Sequence, residues 1–341
     1  MPGSKKGLDS KTDSPPPKEI PSDAPQKSSD QLNLFQEFGL HEQERKRQEW
    51  SKWLKMEVIE RKLWKSPLSP NEQEVFNQYV DARMRISSEY QKAIPGQFER
   101  ISNYQGLENA SPEEIAAIEY HSSMKWGHMA AFARADAKKM REEMAKGKTF
   151  DEVFDPALEQ VGNTARIARE LMDDPELFEE VASHVEHMDN VTRRMKLPEQ
   201  VIAKTDLSEE EFGTFLFNER GERQDINTIQ PGEQRGLLWV DPWFVATSLR
   251  HGHIYTSVYG PDAKTVRMYI TLPKDSSGAY IRDASRNPSE DEATLPLKTI
   301  TQLDRIIHID KSELTAEERK RLQFIPTYVV QATRVEGEWR F

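Results

Sequence analysis

The sequence predicts an α+β protein, with helices first and strands after. Three observations predict it. Apolar residues recur at helical spacing through the first half of the chain. The character changes at Leu197-Pro198. Beyond that point, short segments alternate with period two between Gly, Pro and Asn turns. Helices followed by strands, rather than helices alternating with strands, is the α+β signature. No repeat of fixed period is visible.

The elements follow in order. Residues 1–33 are Pro-, Ser-, Lys- and Asp-rich, with Pro15-Pro16-Pro17 among them, and carry too little apolar surface to offset chain entropy. They predict a disordered leader, read by a secretion receptor or simply flexible. Residues 41–66 predict a helix in which Trp50, Trp53, Leu54, Val58, Leu63 and Trp64 are separated by Lys and Arg. That helix either docks on an interface or packs its Trp face on the next helix. Helices are also expected over 70–94, 111–147 and 153–197. Ser111 with Glu114 is a capping box, and Asp173-Asp174-Pro175 marks a break. Strands are expected at Gln200–Lys204, around Asp241-Pro242 within Leu237–Val245, and at Thr265–Leu272, Ala293–Leu297, Ile306–Ile309 and Tyr328–Ala332. Together they suggest an antiparallel-rich sheet.

Composition bounds the chemistry. The chain has 341 residues, enough for one large domain or two ordinary ones. A net charge of −11 argues against nucleic acid as a partner. There are no cysteines, which excludes disulfides, thiol nucleophiles and thiolate metal sites. No apolar run approaches the ~18 residues of a membrane span, and the N-terminus lacks a signal-peptide core, so no transmembrane segment and a soluble protein are expected. His184 and His187 lie one turn apart near Glu179 and Glu180, but no third-ligand pattern joins them, and no metal is expected. His251-Gly252-His253 lacks ligand spacing, and no G-x-S-x-G marks a serine hydrolase.

The chemistry-bearing stretch is Ser289-Glu290-Asp291-Glu292-Ala293-Thr294-Leu295-Pro296, shortly after Gly278-Ala279-Tyr280-Ile281. On an extended strand, residues i and i+2 share a face, so Glu290 and Glu292 would project side by side into one cleft. One carboxylate can then face a developing cation while the other faces an incoming nucleophile. An E-x-E alone is weak in a chain with 31% charged residues, and its surroundings raise its value.

From about residue 106 onward, the order of segments resembles the mono-ADP-ribosyltransferases, in particular the bacterial toxin type that modifies arginine. Ser111–Tyr120 resembles the opening helix. His187–Ala203 resembles the helix that enters the first catalytic strand. Trp243-Phe244-Val245-Ala246-Thr247-Ser248-Leu249 resembles the F-x-S-T-S motif. Val266–Pro273 with Gly278–Ile281 resembles the central hairpin, and Glu290–Pro296 the E-x-E turn. The resemblance implies a helical lobe with two packed mixed or antiparallel sheets over 106–341, behind a leader at 1–33 and a helical delivery or regulatory region at 34–105. It implies NAD as co-substrate and an acceptor arginine on a target protein, with an immunity or chaperone protein as a further partner. It also implies action inside a target or host cell, as a toxin, effector or phage-encoded modifier.

By the same resemblance, Glu292 stabilises the oxocarbenium-like ribose and Glu290 engages the acceptor guanidinium. Arg282–Ser289 recognises the target. Phe244, Ala246, Thr247 and Ser248 line the NAD pocket, and the hydroxyls orient the glutamate. Lys204 holds the NAD phosphates, with Arg235 the second choice. Two departures stand out: Lys204 replaces an arginine, losing its fork geometry, and Ala246 replaces a serine that supports the glutamate. They leave two other readings open: a catalytically weak or inactive fold kept as a protein-binding module, and a helical structural protein whose sheet only mimics the family.

Overall fold

The computed structural model describes residues 67–90, 107–123, 125–229, 234, 236–249, 262–286 and 292–337, all within one compact unit, Trp50–Phe341. The leader, the Trp-rich segment, Arg235, His251-Gly252-His253 and Glu290 lie outside the described residues.

Helix α1, Pro70–Tyr90, starts at a reciprocal cap. Glu72 N–H donates to Ser69 Oγ (3.2 Å) and Ser69 N–H to Glu72 Oε2 (2.8 Å). Its apolar face of Val75, Phe76, Tyr79, Ala82 and Ile86 is buried against Ile202, Tyr269, Val329, Leu314 and Leu322. This helix, from the stretch expected to deliver or regulate, therefore covers part of the sheet that follows.

The expected helical lobe comprises α2 (Pro112–His121), α3 (Trp126–Arg134), α4 (Ala137–Ala145), the short α5 (Phe150–Val153), α6 (Thr164–Asp173) and α7 (Pro175–Arg194). The Ser111–Glu114 capping box is formed at α2. The break before Pro175 is also formed. Asp174 Oδ1 accepts from the N–H groups of Glu176 and Leu177 (both 3.0 Å), and Pro175 occupies the first turn, where its missing N–H costs nothing. Asp136, at φ 49°, turns the chain between α3 and α4, so the run expected over 111–147 is three helices.

The strands are β1 (Val201–Ser208), β2 (Leu216–Asn218), β3 (Leu237–Val240), β4 (Val245–Ser248), β5 (Thr265–Leu272), β6 (Ala279–Tyr280), β7 (Glu292–Leu295), β8 (Ile300–His308) and β9 (Tyr328–Val335); short helices α8 (Glu209–Thr214) and α9 (Ala316–Arg321) connect them. Their order is β2-β3-β8-β9-β5-β1-β4-β7-β6. Only the β5–β9 pair among them is parallel. The α+β class holds. The two expected sheets are hydrogen-bonded into one mixed ladder, in which β4-β7-β6 joins the other six strands through a single register pair, Lys204 opposite Ser248.

Two local expectations differ. The apolar run Leu237–Val245 is two strands, because Asp241 Oδ1 accepts from Trp243 N–H (2.9 Å) and closes a turn around Pro242. The expected hairpin between Val266–Pro273 and Gly278–Ile281 does not form: β5 pairs with β1 and β9, and β6 with β7. Pro273 cannot donate to a ladder, and Asp275, at φ 65°, turns the chain away. One face of the central strands, with Ala203, Leu207, Val266, Met268, Ile270, Val330 and Ala332, builds the main core. The alternate residues face the other way.

Candidate active site

Three side chains stand in line across three strands. Lys204 of β1 lies opposite Ser248 of β4, and Ser248 lies opposite Glu292 of β7. Directly paired residues share a sheet face, so the row Lys204–Ser248–Glu292 is on one side, with its ends two strand spacings, about 10 Å, apart. Glu292 opens β7 at the rim of the 282–291 segment, whose base is closed where Ile281 N–H donates to Glu292 O (3.0 Å).

Glu292 is buried, and among the described residues one of its oxygens carries its side-chain hydrogen bonds. Oε1 lies 3.0 Å from His121 Nε2 and accepts from Thr294 Oγ1 at 2.9 Å. Among the described residues, Oε2 takes none. Thr294 sits on the same face, opposite Ala246, so the hydroxyl that reaches Glu292 comes from its own strand. His121 is the last residue of α2. Its ring is enclosed by Trp243, with centroids 5.4 Å apart, and by Phe244 edge-on at 6.3 Å. Helix α2 is anchored to α7 by a two-pronged bridge from Arg194 to both oxygens of Glu114 (2.6 Å each). The Arg194 guanidinium holds the Glu114 carboxyl below the usual carboxylate range against the pull of burial. At the other end of α2, Ser122 Oγ accepts from Arg286 N–H (3.0 Å) within the expected target loop. One helix end thus contacts both Glu292 and that loop.

The Lys204 end is built differently. Lys204 is fully buried, and its Nζ is 3.5 Å from Asp206 Oδ2. Asp206 Oδ1 also accepts from Arg267 Nε at 2.8 Å, and a second Arg267 nitrogen donates to the Tyr79 hydroxyl of α1. Nearby, Lys311 Nζ donates to Ile325 O. Burial, with the Arg267 charge adding, pushes the Lys311 amine down to about 8.

Of the remaining expected residues, Thr247 faces the opposite side from Ser248, because neighbours on a strand alternate. Its hydroxyl donates to Ala293 O (2.5 Å). Ala246 is exposed, while Phe244 is buried with the helical lobe. The His184 ring stacks on Tyr120, with centroids 4.2 Å apart.

Sequence reasoning missed His121, Thr294, Asp206 and Arg267. A signal for His121 existed. It lies four residues after Ala117 and three after Ile118, on the buried stripe of α2, where a polar side chain calls for a reason.

Residues 161–324 match the family model of the ADP-ribosyltransferase exoenzymes. That stretch includes Lys204, Ser248 and Glu292, and the likeness read from the motifs agrees with this family model. The search of curated proteins gave no match. Similar solved structures include Plx2a, an ADP-ribosyltransferase toxin from Paenibacillus larvae (15% identity, 76% of this chain and 96% of that one, TM-score 0.41). The Clostridium limosum C3 exoenzyme is 13% identical over 76% of this chain and 95% of its own, with TM-score 0.38. BECa, an ADP-ribosylating toxin of a C. perfringens binary enterotoxin solved with NADH, is 12% identical over 75% of this chain and 48% of its own, with TM-score 0.41. Among the described residues, no helix is long and apolar enough to cross a membrane.

Proposed function

We propose that the chain is a mono-ADP-ribosyltransferase that moves ADP-ribose from NAD to an arginine side chain of a target protein. The observation that carries this reading is the row Lys204–Ser248–Glu292, with Glu292 buried, one oxygen held by two partners and the other without a hydrogen bond among the described residues. Cleavage of the nicotinamide–ribose bond develops positive charge on the ribose. A fixed carboxylate beside it stabilises that charge more than the ground state. Glu292 takes this role. Glu290, two residues earlier, is proposed to meet the acceptor guanidinium, which a carboxylate matches in bidentate fashion. Ser248 and Phe244 belong to the pocket. Lys204 is proposed to contact the NAD phosphates by exchanging Asp206 for them, with Arg235 as the alternative. An effector or toxin role, delivered by segments before residue 106, fits the same reading.

A specific observation favours a second reading. Lys204 is already paired with Asp206 and wholly buried, as in a fold kept for protein binding after catalysis is lost. Labelled NAD, incubated with the purified chain and a cell lysate, separates the two. Transfer of label or release of nicotinamide that falls at least about 10²-fold in Glu292→Ala supports the transferase. A folded wild type with no turnover supports the binding module.

A further inference from the structure

We infer that His121 is a positioning residue of the transfer reaction, aiming the open oxygen of Glu292 by holding the other. The inference rests on the function proposed above and assigns a role to a residue of the helical lobe. The role inferred here has His121 Nε2 donating in the 3.0 Å contact with Glu292 Oε1. Thr294 Oγ1 donates to the same oxygen at 2.9 Å. A carboxylate on a flexible side chain would otherwise rotate about its last bond and present either oxygen. Two donors on Oε1 remove that freedom and leave Oε2 as the oxygen without a hydrogen bond among the described residues.

The imidazole is itself held from three directions. It is the last residue of a helix whose start is capped by Ser111 and Glu114 and whose body is tied to α7 through Arg194. Trp243 and Phe244 close on its ring. The other ring nitrogen, Nδ1, is buried and has no hydrogen-bond partner among the described residues. A histidine serving only the core would be expected to satisfy both nitrogens. This one commits a single nitrogen to the carboxylate and bears the cost at the other. No covalent step is assigned to it: the imidazole neither attacks nor transfers a proton, and its contribution is orientation.

The test measures nicotinamide release from NAD by the full chain as wild type, His121→Ala, His121→Gln, Thr294→Val and Glu292→Ala, with thermal melting of each. In His121→Gln, the side-chain amide can donate from close to the Nε2 position. The inference expects kcat to fall about 10²-fold in His121→Ala with KM for NAD within about twofold. It expects a smaller fall in Thr294→Val and recovery of most of the loss in His121→Gln. Wild-type kcat in a folded His121→Ala overturns it. Equal losses in the alanine and glutamine variants, tracking a common loss of melting temperature, also overturn it, because the histidine would then only pack. A wild type that releases no nicotinamide removes the transferase reading and this one together. Activity that needs Glu292 but ignores His121 removes this one alone.

Discussion

The two ends of the Lys204–Ser248–Glu292 row are both buried, yet they handle charge in opposite ways. At the Lys204 end, unlike charges face each other: Asp206 is shared by Lys204 and Arg267, and Arg267 also reaches Tyr79 of α1. At the Glu292 end, the carboxyl meets a ring nitrogen of His121 and the hydroxyl of Thr294, both on one oxygen. Buried opposite charges in contact cancel, and such clusters mainly lock elements together. A carboxylate whose direction is fixed by its partners is what stabilising a developing cation demands. On the reading proposed above, the β4–β7 end with α2 is the chemical site, while the β1–β5 end clasps α1 to the sheet and offers Lys204 to the NAD phosphates.

The largest effect should come from the clasp. Asp206→Ala removes the carboxylate that two buried cations share and is expected to cost about 3–5 kcal/mol in urea unfolding. Glu292→Gln keeps the shape and an accepting oxygen, so it is expected to change stability by less than about 1 kcal/mol while abolishing turnover. Equal stability losses in the two variants would erase the distinction between the ends.

Lys311 tests the clasp through pH. Its folded-state value of about 8 lies below the ordinary 10.5, with burial the main cause and the Arg267 charge second. Between those values, the unfolded chain holds a proton that the folded chain has released, so this group makes stability rise with pH there. Below pH 8, the cost of burying the cation is present in full and constant. The gain between pH 8 and 10.5 is at most about 3 kcal/mol, less whatever water at the partly exposed side chain screens. Lys311→Met should remove that rise, so the stability of wild type minus variant should climb across this interval. A flat difference would place the amine in water rather than in the clasp. Tyr79→Phe, which removes the hydroxyl bonded to Arg267, is expected to cost about 1.5–3 kcal/mol and to leave the nicotinamide-release kcat near wild type.

What was legible in the sequence divides along the same line. The strand Thr265–Leu272 and the break at Pro175 match the structure because period-two alternation and proline's missing N–H act locally. The Ser111–Glu114 cap is local too. Glu292 was legible as a candidate because an E-x-E carries its own geometry. The partners of Glu292 and Lys204 were not. His121 lies 171 positions from Glu292, and Tyr79 lies 188 from Arg267, separations that only tertiary packing closes. The strand register was equally hidden. Motif spacing put Ala246 in the serine's place, whereas pairing put Ser248 opposite Glu292 and Thr294 opposite Ala246. A shift of one or two residues in register changes which side chains meet, and nothing within a four-residue strand fixes it.

A modest cost in stability at the start of α2 tests how the far end of that helix is held. Ser111 caps α2 ten residues before His121, its Oγ accepting from Glu114 N–H at 3.2 Å while Glu114 Oε2 accepts from Ser111 N–H at 2.8 Å. Ser111→Ala removes one arm of that box and should cost about 1 kcal/mol. Because Arg194 still grips Glu114, the far end of the helix should hold its place, and nicotinamide release should stay within about twofold of wild type, a change of about 0.4 kcal/mol in barrier. If release instead falls tenfold or more in a chain that melts only slightly lower, the cap rather than the Arg194 bridge sets the position of His121. The chemical site would then depend on the whole length of α2, not on its last turn.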